Sequence, residues 1–94
     1  MTLSTNALTV GYAVRRHEGA AVKGAGPSIE VLMTLPKISD LTHAELRDAI
    51  LELERGGYFR VSRGFGVKLP IELEGIVKVA INESLQSLFD DMDI

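Results

Sequence analysis

The chain has 94 residues, 46% hydrophobic and 24% charged, with thirteen acids against ten bases for a net charge of −3. That length suits one domain spanning residues 1–94 with a modest core, and the balance is that of a folded globular protein rather than a disordered one. Cysteine is absent, which excludes a disulfide framework and a thiolate metal site. No apolar run approaches the roughly 18 residues needed to cross a bilayer, so a cytoplasmic, non-membrane protein is expected.

In chain order, Ser4, Thr5 and Asn6 offer turn or capping chemistry. Leu8, Val10, Tyr12 and Val14 then alternate with Thr9, Gly11, Ala13 and Arg15 as a half-buried strand would. The same segment fits a helix through Ala7, Val10 and Val14, so periodicity leaves both open, and Gly11 with the β-branched residues favours a strand. Arg15, Arg16 and His17 form a basic cluster, most simply a solvated turn. Gly19 to Pro27 is small-residue loop material; its lysine lacks the surroundings of a phosphate-binding loop. Pro27 suits the first turn of a short helix, Ser28 to Leu35, with Ile29, Leu32 and Met33 inward, and Pro36 should end it before a turn from Lys37 to Leu41.

Leu41 to Pro70 is the most explicitly coded stretch. Thr42 with Glu45 three residues on fits a capping box, and Leu41 with Leu46 fits the flanking hydrophobic staple. Leu46, Ala49, Ile50 and Leu53 recur at helical spacing. Arg55 suits the carboxyl end of the helix dipole, and Gly56 or Gly57 can close the helix in the left-handed conformation. Phe59 and Val61 then alternate with Tyr58, Arg60 and Ser62 as a strand, Arg63 to Gly66 supply a tip, Val67 to Leu69 are expected to return, and Pro70 ends the pairing.

AELRDAILELERGGYFRVSRG, a capped helix leaving through Gly-Gly-aromatic into a hairpin, resembles the recognition helix and wing of the winged helix-turn-helix superfamily, over about a third of the chain. The resemblance implies a small α+β, winged-helix-like domain with a DNA-contacting wing. A first helix at residues 7–15 would suit it.

Ile71 to Met92 reads as a long C-terminal helix with Leu73, Val77, Ala80, Leu85, Leu88 and Met92 near one stripe. Its wider apolar arc, including Val79, Ile81 and Phe89, is either the lid of a small core or a homodimer interface. The terminal SLFDDMDI resembles the tail of bacterial single-stranded-DNA-binding proteins, although a fraying helix end is the simpler reading.

Charge is segregated. Arg55 to Lys68 contains four bases and no acid, whereas from Leu69 onward Lys78 faces Glu72, Glu74, Glu83, Asp90, Asp91 and Asp93. The two histidines, His17 and His43, lack paired-ligand spacing, and Glu45, Asp48, Glu52 and Glu54 interleave with Arg47 and Arg55 as a solvated helical face. No nucleophile elbow or other catalytic constellation is present, so a non-enzymatic protein without metal or cofactor is expected.

Two binding functions follow. In the first, a small transcriptional regulator contacts double-stranded DNA through His43, Arg47, Arg55, Arg60, Arg63 and Lys68, with Arg15 and Arg16 as a secondary basic cluster. This leads, although Thr42 to Arg55 carries four acids against two bases. In the alternative, the same scaffold binds an acidic or two-signed protein surface, as phage-encoded inhibitors of host machinery such as anti-CRISPR proteins do.

Overall fold

A computed structural model describes residues 3–19, 27–65 and 68–81: an α+β arrangement of four helices and a two-stranded antiparallel sheet. Its best-specified element is a helix at His43–Arg55, called α4 because three helices precede it. The side chain of Thr42 accepts from the N–H of Glu45 at 3.1 Å, and the Glu45 carboxylate accepts from the N–H of Thr42 at 2.9 Å. Both halves of the capping box are therefore made, and two otherwise orphaned donors are satisfied. Leu46, Ala49, Ile50 and Leu53 form its buried stripe. At the other end Tyr58 N–H donates to Leu53 O and Gly57 N–H to Glu54 O, the two bonds of a Schellman motif. Gly57 carries the positive φ, 84°, which the motif requires. At Gly56 the constraint is space: a Cβ there would lie 2.8 Å from the ring of Tyr58.

The expected strand over Leu8 to Arg15 is instead part of helix α1, Thr5–Gly19. Ser4 starts it, its Oγ accepting from Ala7 N–H at 3.1 Å. Ala7, Val10 and Val14 are fully buried, the helical row rather than the alternating one, because α1 packs across both α4 and the sheet. A second contact fixes its entry. Ser4 N–H and Oγ donate to the two oxygens of Glu52 on α4, at 2.8 and 2.7 Å.

The segment between α1 and α4 also departs from expectation. Ser28 caps α2, Ile29–Leu32, a helix of one turn instead of the expected Ser28 to Leu35. Pro36 opens α3, Pro36–Ser39, where an end followed by a turn was expected. Proline is tolerated there because the first helical N–H has no intrahelical partner to lose. Ile29, Leu32 and Ile38 are buried.

Strand β1, Phe59–Arg63, pairs antiparallel with β2, Ile76–Ile81. The register sets Phe59 opposite Ile81 and Val61 opposite Val79, with an irregularity between Ser62 and Arg63. Strand β2 thus takes the place of the expected return strand from Val67 to Leu69; Lys68 to Pro70 carry no strand, and Val67 lies outside the described residues. Nor do residues 71–81 continue a helix. Ile71–Leu73 is a single 3-10 turn, Gly75 adopts φ 89°, and the strand follows. The remainder of the expected helix lies outside the described residues. Ile76, Val79, Ala80 and Ile81 are buried together, on both faces of a strand that meets α1, α2 and β1. Apart from Lys78 the segment is apolar on both faces, and such a run has no period by which to distinguish strand from helix. Pro27 O accepts from Val79 N–H, and Ser28 bridges to Lys78, so a short third segment lines the other edge of β2.

Val79 and Ile81, assigned to a possible dimer interface, are 0% and 1% exposed and belong to the core. Phe89, the third member, lies outside the described residues.

Candidate interaction surface

The surface is built where α4 hands over to β1. The Schellman turn at Gly57 fixes the direction in which Phe59 enters the core, alternation along β1 leaves Arg60 and Ser62 exposed, and Arg63, beyond the register irregularity that follows Ser62, is exposed as well. Beyond Arg63 the chain runs through a connection from Gly64 to Gly75, closed at its base by Gly64 N–H donating to Gly75 O at 3.0 Å. On this connection Phe65 is fully exposed and Ile71 is 80% exposed. Lys68 is exposed as well, and Glu72 and Glu74 follow. A shallow recess of about 290 Å³ lies against Phe65, bordered by Arg63, Glu74 and Ile76.

The expected basic residues divide into two groups. Arg63 is held by Glu54 in a bidentate pair, its Nη1 and Nη2 donating to Oε2 and Oε1 of Glu54, each at 2.6 Å. Its hydrogen bonds and charge lower the Glu54 pKa below the ordinary carboxylate value, and Glu54 in turn raises that of Arg63. Arg47 is similarly committed, its Nε and Nη2 donating to Asp48 Oδ1 at 3.1 and 2.9 Å. Two of the cations expected to contact DNA thus already face carboxylates of α4. By contrast Arg55, Arg60 and Lys68 are exposed, with no ion-pair partner among the described residues. His43 is exposed in the first turn of α4. Arg15 and Arg16 lie on α1, away from this strand, Arg15 half-buried and Arg16 exposed.

The Glu45 carboxylate is held below its ordinary value, first by the N–H of Thr42 and then by the Thr42 hydroxyl. Among the described residues no three histidine or carboxylate side chains gather as a metal site, and no helix is long and apolar enough to cross a membrane.

Ile71, only the first residue of the helix expected to Met92 and outside its apolar stripe, is an exposed surface residue instead. Phe65 is expected only as part of the hairpin tip. The available signal was its isolation between Gly64 and Gly66, where no alternation partner can bury it. No family model, curated protein or solved structure matches the chain.

Proposed function

We propose that this chain is a non-catalytic binding domain of winged-helix-like order, docking on a protein partner through the connection between β1 and β2. Support for the order comes from α1, which supplies the first helix that the superfamily resemblance implies, and from α4 leading through Gly57 into β1 and β2. One observation carries the ligand class: a fully exposed Phe65 shares its connection with an exposed Ile71, among Arg60, Lys68, Glu72 and Glu74. Burying such a side chain gains about 1.5–3 kcal/mol, whereas leaving it in water contributes nothing to the fold. An aromatic anchor inside a two-signed rim suits a protein surface that offers an apolar depression with both charges around it.

Replacing Phe65 and Ile71 together by serine is expected to leave the thermal midpoint essentially unchanged and to abolish retention of the partner captured by the tagged wild-type chain. Retention unchanged by the double replacement removes the tip as the docking surface.

A regulator of transcription that binds duplex DNA is the second reading, favoured by the exposed and unpaired state of Arg55, Arg60 and Lys68 among the described residues. Three phosphate contacts give a slope of about −2.7 in log affinity against log salt. A labelled random duplex titrated at rising salt reads this directly. Steep salt-dependent binding lost with Arg60→Ala and Lys68→Ala selects the DNA reading over the protein one.

A further inference from the structure

A second surface lies away from the tip, where α1 passes the start of α3. An open groove of about 660 Å³ runs there, with Leu8, Tyr12, Leu35 and Pro36 as its apolar lining. Arg16, His17 and Lys37 border it, and no carboxylate is among its described lining residues. The volume falls in the range of small-molecule sites, about 300–1,000 Å³. The lining combines an apolar body with an aromatic ring, two cations and an imidazole.

We propose that this groove is a binding site for a small organic anion with an apolar, ring-sized body. The ring packs on Leu8, Tyr12 and Leu35, and the anionic group meets Lys37, with Arg16 and His17 on the same border. Charge complementarity decides between ligand classes. A neutral apolar ligand gains nothing from the exposed Lys37, and a cation is repelled by it. An anion without an apolar body forgoes the burial that the lining offers.

The test uses the full chain and the probe 2-naphthoate, with the neutral 2-naphthalenemethanol as control, followed by amide chemical-shift mapping. Expected are shifts concentrated at Leu8, Tyr12, Leu35 and Lys37, affinity that weakens with salt, and binding of the alcohol about tenfold weaker. Lys37→Glu, at an exposed position that leaves the core untouched, is expected to weaken naphthoate by about tenfold and the alcohol hardly at all. Thr9→Trp, which fills the groove from α1, is expected to remove both. Equal affinities for acid and alcohol, shifts scattered outside the groove, or indifference to Lys37→Glu would each overturn the assignment. Displacement of naphthoate by the free peptide SLFDDMDI at lower concentration than by naphthoate itself would overturn it too, giving the groove to an acidic-apolar peptide segment.

Discussion

Helix α4 and strand β2 both lie at the centre of the molecule, yet they are specified by different kinds of information. Each end of α4 is set by residues within a few positions: Thr42 and Glu45 cap one another, and Gly57 turns the other end through bonds to Leu53 and Glu54. Strand β2 has no such local signals beyond Gly75. It is a strand because β1, five residues with Phe59 and Val61 facing Ile81 and Val79, lies along one edge and Pro27 and Ser28 along the other. Local chemistry thus fixes the platform, and long-range pairing fixes the segment that closes the core over it.

If both elements share one core, truncating either should cost alike. Leu53→Ala and Ile81→Ala, both essentially inaccessible to solvent, are each expected to lose about 2–5 kcal/mol in chemical denaturation. A loss near zero for Ile81→Ala would detach β2 from the core and restore it to an interface. At Gly57 the expected cost of alanine is about 1–2 kcal/mol, since φ of 84° is unfavourable for any residue with a Cβ. Thr42→Ala removes a cap and is expected to cost about 1 kcal/mol. Neither local change should disturb the pairing of β1 with β2, which amide exchange along Val61 and Val79 would report.

The smallest expected effect concerns pH. Glu54 has a folded pKa below its ordinary value of 4.5, chiefly through the hydrogen bonds from Arg63. A depressed carboxylate pKa contributes stability above the unfolded value and loses it as pH falls through the folded one. The difference in urea midpoint between wild type and Glu54→Gln should therefore be largest near neutrality and shrink as the pH drops below 4.5. Because the pair is solvent-screened, the difference should be modest throughout. A gap that widens in acid would show that Glu54 is not stabilised by Arg63.

The same contrast explains what could be read from the chain alone. The capping box, the stripe from Leu46 to Leu53, the exit at Gly57 and strand β1 were legible because each is a short-range rule. Helix α1 was not, since Val10 and Val14 satisfy a strand and a helix equally, and the decision comes from packing on α4 and from Ser4 reaching Glu52, far along the sequence. Strand β2 was hidden for the same reason. Its run Ile76 to Ile81 is apolar on both faces apart from Lys78, and a helix there leaves Val79 and Ile81 open to either a core lid or an interface, whereas both are buried. Among the basic candidates, Arg60 and Lys68 are exposed, whereas the commitment of Arg63 to Glu54 depends on the relative placement of α4 and β1, which no spacing reveals.

Position 65 offers the most direct probe of the tip. A photo-cross-linking phenylalanine analogue is placed there and, in a separate chain, at the exposed Thr34, and both are irradiated in the cells that express the protein. A discrete protein adduct from position 65, absent from position 34 and lost when Arg60 and Lys68 are changed to glutamate, is the expected result. Identical adducts from both positions, or cross-links from position 65 to nucleic acid alone, would contradict a protein-docking tip.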